Sequence, residues 1–293
     1  MTDVVAASVV VPTVGRLEQL RACLDSIDAC SPRPAEVLLV AQDHADAVAE
    51  LAEGYPSLRA RVVPCHGRGV SRGRNTGLRA ARNEVVLVTD DDCTVAPDWL
   101  GTAWRLMGEE PGGIVTGRVL PVGDARGVPS LKDDPVPHDF TGEVHGGALF
   151  PNNMAVPRAA LLAAGGFDER FGPGEAAEDN EFCYRWLRGG GRLRYRPELV
   201  VWHHDWRSPE ELERLYVAYA RGQGFFYAKH LRRGDPTMLR FLVRDVWWGA
   251  RGLAAAVIRR RPRWTDPRRG IVRGLPVGLW RGWRTYAPGK RSA

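Results

Sequence analysis

The chain has 293 residues, 44% hydrophobic and 26% charged, with 33 Gly and 21 Pro; this composition excludes disordered, collagen-like and disulfide-scaffold classes. The net charge of +6 is uneven, because residues 241–293 hold thirteen Lys/Arg against Asp245 and Asp266, a balance of +11 that leaves −5 for residues 1–240. The basic excess therefore belongs to the tail, and no nucleic-acid partner is expected for the main domain.

Five cysteines (Cys23, Cys30, Cys65, Cys93 and Cys183) form no C-x-x-C pair, which argues against a thiolate zinc site and fits a reducing compartment. The first residues lack the basic stretch and apolar run of a secretory signal. No window reaches the ~20 apolar residues of a membrane-spanning helix. The expectation is a cytoplasmic protein, with the tail as its candidate membrane contact.

In chain order, residues 8–13 are an apolar, β-branched run that predicts a buried strand. Leu17, Leu20, Leu24 and Ile27 fall on one helix face. Residues 36–41, 61–63 and 84–89 predict further strands, with a helix over 45–53. A Gly-rich basic loop over 67–74 precedes a helix around 76–82. This alternation predicts an α/β fold, a mostly parallel sheet with helices on both faces. No G-x-G-x-x-G follows the first strand, so a dinucleotide-binding enzyme is not supported. In such sheets ligands bind beyond the carboxyl ends of the strands, here Pro12-Thr13, Ala41-Gln42-Asp43 and Asp90-Asp91-Asp92. Further on, 114–120 predicts a strand, 123–147 a mobile lid or binding loop, 153–156 a short strand and 158–164 a helix. An acidic cluster over 175–181 runs into a helix over 182–187. Residues 192–196 and 199–202 look extended and lead to His203-His204.

Three consecutive aspartates at a strand end repel one another and call for a cation, a basic neighbour or full solvation. Oxygen donors favour Mg2+ or Mn2+. On an extended segment Asp90 and Asp92 point the same way and Asp91 elsewhere. A solvated acidic turn is the structural alternative. Arg72, Arg74 and Asn75, set just before a helix, suit an anion, or are a plain basic loop. Glu178 and Asp179 open a helix, where a carboxylate serves as a helix cap or as a general base. One of His203 and His204 could complete a metal's coordination, though two histidines at a strand end are as often unremarkable.

Taken in order, residues 9–13, Arg74-Asn75-x-Gly77, Thr89-Asp90-Asp91-Asp92, Gly165-Gly166-Phe167-Asp168, Glu178-Asp179, and Pro197 with His203 resemble a family 2 glycosyltransferase of the GT-A fold. The likeness covers about residues 8–206. It implies a domain over 1–206, with a nucleotide-binding half (1–100) and an acceptor-binding half (101–206), followed by a helical, basic extension over 207–293. It further implies that Pro12, Thr13, Gln42, Asp43, Arg74, Asn75, Asp90 and Asp91 bind the donor. Asp92 and His203 would hold a divalent metal (Mn2+ or Mg2+), with His204 as the alternative to His203. Asp179 would be the catalytic base, and Asn153, Gly166, Phe167, Asp168 and Glu178 would lie on the acceptor side. The activity implied is inverting transfer from a nucleotide-sugar, UDP first and dTDP or GDP next, to a glycan, lipid-linked or small-molecule acceptor. One departure stands out: the family usually has an aspartate directly after the second strand, where this chain has Ala41. Two rival classes remain, a nucleotidyltransferase and a degenerate non-catalytic binding module.

Beyond the resemblance, Ser208-Pro209-Glu210-Glu211 predicts a helix start, with helix over 212–230. In the next helix a 100° step gathers Arg244, Asp245, Arg251 and Arg259 in one sector. Leu242, Val246, Trp247, Leu253, Ala254, Val257 and Ile258 fall opposite. With the basic clusters and aromatics that follow, 241–293 is a candidate for contact with an anionic membrane surface, or a helix packed on the protein with a solvated arginine face.

Overall fold

The computed structural model describes residues 4–123, 128–172, 174–204, 207–258 and 267–287. Two compact units are present: Met1–Glu169 with Phe182–Asp205, and Arg170–Glu181 with Trp206–Ala293.

In the first unit β1 (Val4–Thr13), α1 (Leu17–Asp28), β2 (Arg33–Ala41), α2 (Ala45–Glu53), β3 (Ala60–Pro64), α3 (Val70–Ala80) and β4 (Val85–Val88) alternate. β1 pairs in parallel with β2 and β4, and β2 with β3. Next come β5 (Cys93–Val95), α4 (Trp99–Glu109), β6 (Ile114–Val122), β7 (His138–Phe140), β8 (Met154–Pro157), α5 (Arg158–Ala163), α6 (Glu178–Arg188) and β9 (Leu193–His204). The sheet order is β3-β2-β1-β4-β8-β6-β9-β5, with β7 on β9. β8 lies antiparallel to β4 and β6, β5 antiparallel to β9, and β6 parallel to β9. Val9, Val11, Val37 and Leu39 pack beneath α1, α2 and α4, while Val10, Leu38 and Val40 pack beneath α3, α5 and α6. Burial on both faces is why these strands read as unbroken apolar runs.

Three local expectations change. α3 begins at Val70, so Arg72, Arg74 and Asn75 lie within its first two turns rather than before it. Gly67, Gly69 and Gly73 make the stretch before 76 look like a loop, yet Gly73, like Gly77 further along, lies within the helix. Gly73 and Gly77 are close-packing residues: a Cβ at 73 would sit 2.7 Å from Gln42 Nε2, and one at 77 would collide with Val10. The polar segment 123–147, expected as a mobile lid or binding loop, is tied to the sheet at two places, through β7 on β9 and a reciprocal Val119–Lys132 bridge; its residues 124–127 lie outside the described residues. Residues 192–196 and 199–202 form one strand, β9, whose register against β6 shifts between Gly117 and Arg118.

In the second unit α7 (Pro209–Leu231), α8 (Thr237–Ile258) and α9 (Pro267–Thr285) follow Ser208. Ser208 and Glu211 close a capping box at the start of α7, with Pro209 in the first turn. Gly270, Gly274, Gly278 and Gly282, four residues apart, line one edge of α9. A Cβ at any of them would press on a carbonyl oxygen of α7, those of Tyr216, Val217, Arg221 and Phe225 respectively. α7 and α9 therefore meet backbone to backbone, the small-residue mode of helix contact. No described helix is long and apolar enough to cross a membrane.

α8 is rotated from the expected orientation. Asp245 does not share the outer face with the arginines, because it turns inward and accepts a hydrogen bond from Tyr227 at 2.5 Å. Val246 and Trp247, expected on the packed side, are 51% and 58% exposed, and Ala254 is exposed too. The buried edge is formed by Met238, Gly249 and Gly252. Arg259 and the side chains of Leu253, Val257 and Ile258 lie outside the described residues.

Candidate active site

The carboxyl ends of β1, β2 and β4 meet around the three aspartates. Asp91 is 1% exposed. It accepts from Thr13 Oγ1 at 2.6 Å and pairs with Arg16. Burial pushes its carboxyl above the ordinary value, although Arg16 and Thr13 pull the other way. Both its oxygens are thus engaged by the protein, and Asp91 ties β1 to the end of β4. Asp90 faces Arg74, whose guanidinium lies 3.2 Å away. Asp92, 4% exposed, has Oδ2 3.5 Å from Arg16. Arg16 itself was not foreseen, being a lone arginine between a strand and a helix with no motif around it.

Residues of β2 shape the neighbouring loop. Gln42 Oε1 accepts from Gly69 N–H at 2.7 Å, which holds the turn into α3. Asp43 pairs with Arg68 and accepts from His44 N–H. Pro12 is buried at the end of β1, against α3 at Gly73.

β5 runs antiparallel to β9 with Cys93 opposite His203, which brings His203 beside Asp92. His203 Nδ1 lies 3.0 Å from Pro129 O. A carbonyl only accepts, so that nitrogen carries the proton and Nε2 presents a lone pair. Nε2 is buried and makes no hydrogen bond; Asp92 Oδ1 is 3.4 Å away. A carboxylate and an imidazole lone pair aimed at one space repel unless a proton or a metal cation lies between them. Asp92, Cys93 and His203 form a group with spacing suited to a metal ion, and a carboxylate with an imidazole is a fitting donor set for Mn2+. His204, one residue on, points elsewhere: its Nε2 is 3.0 Å from Thr94 Oγ1. Burial first, then His203, lower its pKa. Strand alternation thus sets His203 beside Asp92 and turns His204 towards Thr94,.

Asn75 is bound on both sides of its amide. Oδ1 accepts from Phe167 N–H, and Nδ2 donates to Phe167 O and to Glu169 Oε1. It anchors the segment of Gly166, Phe167 and Asp168 to α3, with Asp168 half-buried. Asn153, expected on the acceptor side, is a correction: it is 0% exposed. Its amide accepts from Trp99 Nε1 and donates to Arg118 O and Leu199 O. With that geometry it braces the sheet and is closed to any ligand.

Within the second unit, Glu178 and Asp179 begin α6. Glu178 is buried, and Asp179 is half-buried with Oδ1 accepting from Asn180 N–H. Ala177 just before them has φ 92°, strain of a kind that persists only where surrounding structure enforces it. Glu181, 0% exposed, pairs with Lys229 at 2.6 Å and His230 at 3.1 Å on α7.

Comparison with known proteins points one way. Putative glycosyltransferase EpsH of Bacillus subtilis is 27% identical over 195 residues, 61% of this chain, and the chain spans 55% of that protein's length. Glucosyl-dolichyl phosphate glucuronosyltransferase of Haloferax volcanii is 26% identical over 220 residues, 67% of this chain and 68% of its own. Among solved structures, the mannosyltransferase PcManGT of Pyrobaculum calidifontis, in complex with GDP-Man and Mn2+, is similar with a TM-score of 0.65 and 20% identity, over 94% of this chain and 87% of its own. Residues 8–155 match the family described as Glycosyl transferase family 2, and with the α/β sheet and strand-end aspartates above, the chain belongs to that family.

Proposed function

We propose that this protein transfers a sugar from a nucleoside diphosphate donor to an acceptor hydroxyl, with inversion at the anomeric carbon. One observation carries the reading: Asp92 Oδ1 and the unpartnered His203 Nε2, both buried, converge at 3.4 Å beside the arginine-flanked aspartates. Asp92 and His203 would hold Mn2+ or Mg2+, which when bound offsets charge on the departing diphosphate. Arg74, beside Asp90 on α3, adds cationic charge for the diphosphate,. Thr13, Gln42 and Asp43 flank the nucleoside end. Asp179 is the base that takes the acceptor's proton, an assignment supported by family likeness and by its place at the start of α6.

A UDP-sugar is the donor we favour, with GDP next because the PcManGT complex contains GDP-Man. The acceptor we favour is lipid-linked, in keeping with the dolichyl phosphate named for the Haloferax relative. We infer a cytoplasmic protein held at the membrane's inner face through 241–293; five free, buried cysteines support a reducing compartment,.

A thermal-shift series with UDP, GDP and dTDP, each with Mn2+ or EDTA, tests the donor site. One nucleotide should stabilise the protein only when Mn2+ is present, by ~2.7 kcal/mol at 100 times its Kd. No shift with any of them overturns the reading.

A further inference from the structure

The outward faces of α8 and α9 carry large apolar side chains that are half or more exposed among the described residues. On α8 these are Leu239, Val243 and Trp247, 53%, 67% and 58% exposed. They lie four residues apart along about 12 Å of helix. Together with Arg240 and Arg244 they line one shallow depression. On α9, Trp280 and Trp283 are 59% and 51% exposed. Soluble surfaces rarely leave apolar groups gathered this way, and a rim of charge around them marks an interaction site.

The charge of these two helices identifies the partner. α8 and α9 contain one acid, Asp245, and it is turned inward onto Tyr227. Arg240, Arg244, Arg251 and Arg284 are exposed. Arg251 lies over the Trp247 ring at 4.6 Å and Arg284 over Trp280 at 4.9 Å. An arginine stacked on an outward tryptophan keeps its charge level with the aromatic ring, which suits the boundary between lipid headgroups and acyl chains. A second copy of the chain would fit poorly, since a two-fold interface sets the same patch against itself and arginine would confront arginine.

We propose that the outward surfaces of α8 and α9 dock on an anionic phospholipid bilayer, with Leu239, Val243, Trp247, Trp280 and Trp283 as the side chains that enter the interface and the arginines meeting the headgroups. The peripheral placement above rests on the basic clusters and aromatics of 241–293; here it is narrowed to named exposed apolar and aromatic side chains of α8 and α9 as the anchors. The inference extends that placement and is separable from the transfer chemistry, because its test contains neither nucleotide nor acceptor.

The test is flotation of the full chain with phosphatidylcholine vesicles, with and without phosphatidylglycerol, at low and high salt, alongside tryptophan emission. The protein should bind the anionic vesicles at low salt with a blue shift. Val243→Glu and the pair Trp280→Ser with Trp283→Ser should each weaken partition about tenfold or more. These positions are exposed, so melting temperature serves as the folding control. No binding to anionic vesicles at low salt, or variants that partition as well as the parent, overturns the proposal. Sedimentation equilibrium adds a third outcome: a dimer that Val243→Glu dissociates, without vesicle binding, assigns the face to a second copy and also overturns it.

Discussion

Asn75 and Phe167 are joined by a closed pair of hydrogen bonds, 2.9 Å from Phe167 N–H to Oδ1 and 2.8 Å from Nδ2 to Phe167 O. The side chain acts here as a strand would, satisfying both backbone groups of a loop residue across 92 positions of sequence. Gly166, at φ 60°, brings its backbone so close that a Cβ would lie 2.6 Å from Asn75 Oδ1. Asn75→Ala should cost about 2–4 kcal/mol, since two buried backbone groups lose their partner. Urea unfolding measures it, and a loss below about 0.5 kcal/mol would mean that water replaces the amide.

The two adjacent histidines should behave differently. His203→Ala removes the lone pair beside Asp92 and should weaken Mn2+ binding about tenfold or more, read from the electron paramagnetic resonance of free Mn2+. His204→Ala removes only a partner of Thr94 and should leave Mn2+ affinity nearly unchanged. Equal effects of the two changes would dismiss the tautomer argument.

Asp179→Asn keeps the size of the side chain and removes its basicity. Turnover should fall by about 10²–10⁴, while the melting temperature stays put. A variant with near-normal kcat would exclude Asp179 as the base.

Acid stability should depend on Glu36. Burial pushes its carboxyl up, but Arg82 N–H, Ser8 Oγ and Arg61 outweigh that and hold it below the ordinary value. Its contribution is therefore complete above the unfolded pKa, near 4.3, and is lost as pH falls through the folded value. Glu36→Gln should be destabilised at pH 7 by about 1–3 kcal/mol, and the gap from the parent should narrow on acidification. A gap that is constant with pH would show that the charge contributes nothing.

Two glycine-to-alanine changes should have opposite signs. Gly278→Ala forces a methyl against Arg221 O and should cost about 1–3 kcal/mol or more,. Gly108→Ala, on α4 with no atom within 4 Å of the new Cβ, should gain about 0.5–1 kcal/mol from helix propensity,. Thermal melts of the two variants decide it.

The first ninety residues were legible because burial on both faces of the sheet leaves β-branched runs, and amphipathic α1 leaves its 3.6-residue stripe. Strand ends then located Thr13, Gln42 and the aspartates. Elsewhere, local pattern gave less than pairing did. Gly73 looked like a loop residue because its close approach to Pro12 and Gln42 is a tertiary fact. Which histidine lies beside Asp92 follows from the pairing of β5 with β9, which no local pattern shows. Asn153 and Asn75 are held by distant backbone and by the side chains of Trp99 and Glu169, partners that no local pattern announces. α4 and the three-residue β5 were passed over, the strand being too short to show a period. On α8, apolar residues circle most of the helix, so the Tyr227–Asp245 bond and the close approach of Gly249 to Ile271 decide which side is buried.

The glycine ladder of α9 separates two kinds of cohesion. Where α7 and α9 touch, the glycine positions add dispersion and weak Cα–H···O interactions to side-chain contacts such as the Arg273–Glu213 ion pair,. Ionic strength hardly alters the dispersion part, whereas it screens arginines at a lipid surface. Raising the salt should therefore lift the protein off a bilayer while its helices stay together, a reversible release that needs no unfolding. The ladder also assigns space along the helix. Positions 270, 274, 278 and 282 tolerate almost nothing larger than hydrogen, whereas Trp280 and Trp283 stand at exposed positions of the same helix.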